Sequence, residues 1–411
     1  MLLFMKKTSI LTNICIPARI LGLALTVCTL FTVTSCTNDD NGLIPIGNGE
    51  GNYGQFQTEE KYNNETQGMF ILCEGNYGKN NSTLDYLNFT TGLYYPNVFE
   101  SGFMKDSKKM GDTGNDIKYY KGKLWIVINA SNKVIVVNPV NGKIEKEINN
   151  IINGRHLVYY NGFVYVSAYY NAKFNKVISK GTVYKINADD YTITGQVEVG
   201  YQPENMDIVK DRLYVANSGG YNGGNDIGYD HTISVIDINT FKVIKTIDVK
   251  SVNLNELKAD KNGNLWVTSQ GKYDPTTYSM VGANITEIST EGEILNHFDV
   301  SAANLVINDN NLYYTVSSSK QPVQLNVIDT NTGKIIEKNL LKNNSQSQLP
   351  ITTCAAAINP SNKNIYLADA KDYISASEIF VYDKNGKYLS TIKNNLIGIT
   401  PAHICLSLIH I

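Results

Sequence analysis

From Gly68 onward one hydrophobic pattern recurs along the chain. A short apolar strand is followed by a second strand with an aromatic residue at its centre, a loop, a third alternating strand, a turn and a fourth strand. The clearest copy runs from Asn205 to Val249. In it Met206-Asp207-Ile208-Val209 precedes Leu213-Tyr214-Val215, Ile233-Ser234-Val235-Ile236-Asp237 and Val243-Ile244-Lys245-Thr246-Ile247. Apolar and polar positions alternate with the period of two that a half-buried strand requires. The second-strand aromatics fall at Phe70, Trp125, Tyr165, Tyr214, Trp266, Tyr313 and Tyr366, with 40 residues between Trp125 and Tyr165 and 52 between Tyr214 and Trp266. This spacing lies in or just above the range of four-stranded propeller blades. Seven copies predict an all-β fold, a seven-bladed β-propeller of four-stranded antiparallel blades. Open sandwiches and solenoids do not repeat sevenfold at this period.

Turn chemistry supports the same division. Asn141-Gly142, Thr332-Gly333 and Asn385-Gly386 stand between third and fourth strands and supply the positive φ of tight hairpins. The first copy lacks its first strand, because Gly68 to Leu72 already carries the central aromatic. Pro401-Ala402-His403-Ile404 is an orphan strand at the other end. The two termini are expected to complete one blade together and so remove the exposed edges of the ring.

The first 35 residues follow a different logic. Lys6, Lys7 and Arg19 precede an uncharged apolar stretch from Ile20 to Val33, which is too short to span a bilayer and is expected to be an export signal. Val33-Thr34-Ser35-Cys36 resembles the bacterial lipobox, which implies lipidation of Cys36 and a stable membrane anchor, since each buried CH₂ contributes about 0.8 kcal/mol. The acidic stretch Thr37-Asn38-Asp39-Asp40-Asn41 is similar to those that follow the Cys in surface-exported lipoproteins of Bacteroidetes. The expected organisation is a signal peptide over 1–35, a lipidated Cys and flexible tether over 36–67, the propeller over 68–404, and a tail over 405–411. That tail matches no other copy and resembles translated adapter sequence; the alternative is a genuine apolar strand end.

Charge narrows the function. Lys and Arg (36) nearly balance Asp and Glu (38), giving a net charge of −2 and no field to gather nucleic acid. Of six Cys, Cys73, Cys354 and Cys405 remain after the signal and Cys36, too few for a disulfide framework and without CxxC metal spacing. No GxSxG, HExxH or GxxxxGK[ST] occurs, and the five His are scattered. The chain is therefore expected to bind a ligand without transforming it and without a cofactor.

The 27 Tyr point to where such binding would occur. In a propeller the loops from second to third strand share one face with the blade-to-blade connections. Those loops hold Asn76 and Tyr77, Asn129 and Asn132, Tyr169, Tyr170 and Asn171, Tyr221, Asn225 and Tyr229, Lys272, Tyr273 and Tyr278, and Lys371 and Tyr373. Tyrosine offers a flat contact area at low entropic cost, so these are expected to form an exposed recognition rim. The connections bring Asp116, His156, Asn205, Glu256, Asn304 and His403, with Cys354 or Ala355 in the seventh blade, to the start of each innermost strand. Alternation points them at the channel mouth. Arg155 is expected to join this face. The main enzymatic alternative is an oxygen cage of Asp116, Asn205, Glu256 and Asn304 for Ca²⁺, as in propeller lactonases. A glycan-binding or adhesive propeller would use the same rim.

Several stretches carry a more specific likeness. Glu74-Gly75-Asn76-Tyr77-Gly78-Lys79-Asn80-Asn81, Gly111-Asp112-Thr113-Gly114-Asn115-Asp116, Asn217-Ser218-Gly219-Gly220-Tyr221 and Gly228-Tyr229-Asp230-His231-Thr232-Ile233-Ser234-Val235-Ile236-Asp237 resemble the YncE-like propellers of Bacteroidetes surface lipoproteins. From Cys36 to about His403 the chain most resembles the BtuG-type cobalamin-binding proteins. The resemblance implies an outer-leaflet protein that captures cobalamin or related corrinoids and passes them to a TonB-dependent outer-membrane transporter. A corrinoid is large, flat and ringed with amide arms, which suits a wide rim of Tyr and Asn. The cobalt is expected to need no protein ligand, since neither His156 nor His403 has a second ligand at coordinating spacing.

Overall fold

The computed structural model describes residues 66–98, 109–140, 142–169, 179–318, 321–393 and 397–407. The expected signal peptide, Cys36 and all of the tether before Thr66 lie outside the described residues, as do Tyr170, Asn171 and the last four residues.

The alternating segments fold as their pattern requires, into seven four-stranded antiparallel sheets. Their innermost strands are Gly114–Tyr120, Gly154–Tyr160, Pro203–Val209, Leu254–Ala259, Ala303–Asn308, Thr353–Ile358 and His403–Ser407. Each touches the next, and the last touches the first, so the sheets close into a seven-bladed propeller around a central channel. Closure uses both ends of the chain: Gly68–Cys73 pairs with Thr83–Asn88 on one side and with His403–Ser407 on the other, from Leu72 opposite His403 to Gly68 opposite Ser407. The ladder takes in Cys405, Leu406 and Ser407, so the strand runs three residues past the 404 boundary expected from sequence.

The second-strand aromatics are the wedges between blades. Phe70, Trp125, Tyr165, Tyr214, Trp266 and Tyr366 are buried and Tyr313 is half-buried. Trp125 packs in one cluster with Leu157, Val164 and Val166 of the following blade, and Tyr214 with Leu254, Leu257 and Val267 of the blade after its own. Each such side chain contributes roughly 1.5–3 kcal/mol by leaving water. Gly142, Gly333 and Gly386 have φ of 65°, 63° and 77°, as the tight turns demand.

Candidate functional site

The site begins with a break in the sheet pattern. In six blades the register between first and second strands slips at the start of the innermost strand: between Gly114 and Asp116, Gly154 and Leu157, Pro203 and Met206, Leu254 and Leu257, Ala303 and Val306, and Thr353 and Ala355. A bulge of this kind re-aims side chains, so neighbouring residues can both turn to the channel instead of alternating. Asn115-Asp116, Arg155-His156, Asn255-Glu256 and Asn304-Leu305 accordingly line one cavity of about 290 Å³, together with Asn205, Lys118, Lys258, Glu74, Cys354, Ala355 and His403.

The carboxylates of this channel hold neighbouring blades together. Asp116 accepts from the backbone N–H of Leu157 in the next blade at 2.9 Å, and pairs with Lys118 at 2.8 Å. Glu256 accepts from the N–H groups of Asn304 at 2.6 Å and Leu305 at 2.8 Å. Asp207 repeats the device one blade earlier, accepting from Ala259 N–H. Burial works to raise the Asp116 carboxyl, but Lys118 and then His156 outweigh it and hold it well below the usual carboxylate range. Burial pushes His156 down to about 4, outweighing its pull toward Asp116, so the imidazole is neutral at pH 7. His156 Nε2 lies 3.4 Å from Asn205 Nδ2, and His403 Nε2 lies 3.3 Å from Glu74.

A second cavity, of about 400 Å³, adjoins the channel on the loop face. Its floor is Glu204, buried and held by Arg155 Nε at 2.9 Å and by the Tyr169 hydroxyl. Burial raises the Glu204 carboxyl even though Arg155 pulls it down. The guanidinium is pinned further by Asn115 Oδ1 at 2.7 Å and stacks over Tyr169, 5.0 Å from the ring centroid. Tyr221 meets Tyr169 edge-on at 5.7 Å. The walls are completed by Tyr229, Met280, Ser218, Asn253, Asn255 and Gln270. Tyr229 lies against Gly223 so closely that a Cβ there would fall 2.1 Å from the ring, which is why the loop carries glycine. Asp230 ties this loop down through the N–H groups of Tyr201, His231 and Thr232. Arg155 and Asn255 line both cavities and form the neck between them.

The residues expected from sequence thus divide. Asp116, His156, Asn205, Glu256, Asn304, Cys354, Ala355 and His403 come together in the channel; Arg155, Tyr169, Tyr221 and Tyr229 form the outer cavity. Tyr169 is a correction, because it is buried and props Glu204 where an exposed rim residue was expected. Asn129 is another: it is buried, and its amide donates to Gly154 O at 2.8 Å, which fixes the next blade. Tyr273 and Tyr278 are exposed on a small hairpin, Lys272–Asp274 with Ser279–Val281, beside the outer cavity, with the Tyr273 N–H 3.4 Å from the Tyr229 hydroxyl. Tyr77 and Tyr373 are exposed and line neither cavity; they are linked through Asn76, which donates to Tyr373 O. The four proposed Ca²⁺ ligands do share the channel, but both Glu256 oxygens and both Asp116 oxygens already accept hydrogen bonds. Among the described residues no three His, Cys, Asp or Glu side chains are grouped to hold a metal ion. Sequence reasoning missed Asn115 and Asn255, because strict alternation permits one channel residue where the bulge presents two; it also missed Glu204 on the floor of the outer cavity, and Lys258, which alternation from Glu256 could have placed in the channel.

A family model for a domain of unknown function, DUF5074, matches residues 67–402. The chain belongs to the DUF5074 family. Both cavities fall inside the DUF5074 region apart from His403 and Ile404 on the closing strand. No curated protein matches the chain significantly. Among solved structures, hydrazine synthase of Kuenenia stuttgartiensis aligns with a TM-score of 0.54 at 14% identity, over 72% of this chain and 90% of that one. A quinonprotein alcohol dehydrogenase-like protein of Bacteroides thetaiotaomicron aligns with a TM-score of 0.53 at 13% identity, over 80% of this chain and 75% of that one. A chain of a mitotic checkpoint complex aligns with a TM-score of 0.51 at 12% identity, over 72% and 83%. At such identities these likenesses speak for the propeller fold of this DUF5074 protein alone.

Proposed function

We propose that this propeller is a non-catalytic capture protein for cobalamin or a related corrinoid, anchored to the outer membrane by lipid on Cys36, facing outward, and passing its ligand to a TonB-dependent transporter. The observation that carries the reading is the pair of cavities joined at Arg155 and Asn255, with aromatic walls outside and a polar channel within. Tyr221, Tyr229 and Met280 would offer apolar faces to a flat macrocycle, and Asn253, Asn255 and Gln270 would offer donors and acceptors to its amide arms. Support for the ligand class comes from the likeness of the chain from Cys36 to about His403 to BtuG-type proteins, within the YncE-like propellers that the Glu74–Asn81, Gly111–Asp116, Asn217–Tyr221 and Gly228–Asp237 stretches resemble. Support for the anchor is the lipobox-like Val33–Cys36. Preorganised hydrogen bonds around Glu204 and Asp230 keep the floor and loop in place before the ligand arrives, which lowers the entropic cost of binding.

Calorimetry with cyanocobalamin tests the proposal. Stoichiometric heat is expected, with Tyr221→Ala, Tyr229→Ala and Tyr273→Ala each weakening affinity by about tenfold or more, as for aromatic anchors. Unchanged curves for all three would remove this face from consideration. Silence with cyanocobalamin, together with chelator-sensitive ester hydrolysis, would favour a hydrolase.

A further inference from the structure

Building on the capture reading, we propose that the channel is a second subsite, one that takes a compact anionic group carried by the captured solute, a phosphodiester or a carboxylate, with Lys258 as its ion-pairing residue. Three Lys and Arg side chains, Lys118, Arg155 and Lys258, line the channel among the described residues. Lys118 pairs with Asp116 and Arg155 with Glu204. Lys258 is, among the described residues, the one Lys or Arg of the channel that touches no carboxylate; it acts on Glu256 only through space, opposing the rise that burial gives that carboxyl. Its nearest acid in sequence, Glu256, spends one oxygen on the N–H of Asn304 and the other on the N–H of Leu305. The remaining channel acids are committed as well, Asp116 to Leu157 N–H and Lys118, and Glu74 to His403.

Two further donors stand on the path from the outer cavity to Lys258. Asn255 lines both cavities, three residues before Lys258 on the same innermost strand, and among the described residues its side-chain amide has no hydrogen-bond partner. Arg155 also lines both, and with Nε on Glu204 and Nη1 on Asn115 it retains Nη2 for a ligand. An acceptor group entering through the neck meets Arg155 and Asn255 first and Lys258 beyond them. Charge-assisted hydrogen bonds of this kind are roughly twice as strong as neutral ones, and the half-enclosed channel weakens their screening.

The direct probes are dimethyl phosphate and acetate with the full chain, at constant ionic strength. Wild type is expected to broaden the phosphorus resonance of dimethyl phosphate or the methyl resonance of acetate. Lys258→Met, which keeps the apolar stem, should abolish the effect, and Lys258→Arg should restore it. Whichever probe responds identifies the anion; failure of wild type to broaden either one overturns the proposal. Calorimetry then compares cyanocobalamin, which carries a phosphodiester, with dicyanocobinamide, which lacks the nucleotide loop. Cyanocobalamin is expected to lose about tenfold in affinity in Lys258→Met while dicyanocobinamide is unchanged. Equal response of the two corrinoids to Lys258→Met overturns the subsite. Anion binding without heat from either corrinoid sinks the corrinoid reading and leaves the anion site standing.

Discussion

At the residue scale, polar groups in this propeller are placed where they fasten backbone as often as where they meet a ligand. Asp85 shows the first role most clearly. It is fully buried in the blade that joins Gly68–Cys73 to the closing strand His403–Ser407, where it accepts from the Tyr94 hydroxyl at 2.7 Å, Asn97 N–H at 2.7 Å and Gly398 N–H at 3.2 Å. Burial pushes its carboxyl up to about 6, against the lowering effect of those bonds. Cys73 and Tyr94 are the other titratable groups against it, and burial raises both, so neither ionises before Asp85 does. The sign follows from linkage: between about pH 4 and pH 6 the folded chain holds a proton that the unfolded chain has released. This group therefore adds stability as pH falls from 7 toward 4, by an amount on the order of 2–3 kcal/mol. Asp85→Asn removes the titration and turns an amide N–H₂ toward a donor. Its melting temperature should lie below that of wild type, with a gap that widens from pH 7 to pH 5. A gap independent of pH would refute this role. Asp116, Asn129 and Glu256 belong to the same class of fasteners, and their chemistry could not be told from ligand binding by residue type alone. Tyr221 and Tyr229 reach the outer cavity from a loop between second and third strands, as their place in the sequence suggested, whereas Arg155 reaches it from the innermost strand Gly154–Tyr160.

At the scale of elements, the informative feature is the bulge that opens six innermost strands. In five of those six strands it brings two neighbouring residues to the channel, which is how Asn255 and Glu256 both reach it, and in the sixth it sends Asn205 to the channel and Glu204 to the outer cavity. Alternation of apolar and polar residues gives no sign of it, because a bulge is a matter of hydrogen-bond register between strands. The hairpin Lys272–Asp274 with Ser279–Val281 is a second departure, inserted into one blade's loop and contributing Met280 to the outer cavity. Gly271 and Gly282 bound it at φ of 74° and 76°. Replacing residues 272–281 by a short Gly-Ser linker should leave the thermal midpoint within a few degrees of wild type, because the hairpin adds little buried apolar surface, yet weaken cyanocobalamin affinity by about tenfold or more. Full retention of affinity would show that Tyr273, Tyr278 and Met280 take no part in capture.

At the scale of the whole molecule, stability depends on closing the ring. Met69 and Ile71 face the neighbouring blade's Tyr366, Ala368 and Ile379, while Phe70 and Leu72 face Ile117 and Ile126 on the other side. Removing residues 403–411 would strip Gly68–Cys73 of its inner partner and leave an open edge, so the truncated chain is expected to lose its cooperative melt and to associate. A monomeric truncation melting like wild type would contradict the account of closure. Blade number, strand order and the pairing of the two ends were legible in the sequence, because a period-two pattern with one aromatic per repeat admits few packings and radial closure buries every wedge. The hydrogen-bond register of the inner strands, the committed state of each channel carboxylate, and the meeting of Arg155 with Glu204 across 49 positions were settled only in three dimensions. The physical reason is that hydrophobic alternation records which side of a strand is buried. Which polar atoms satisfy one another depends on distances between blades, and no local pattern of residues encodes those.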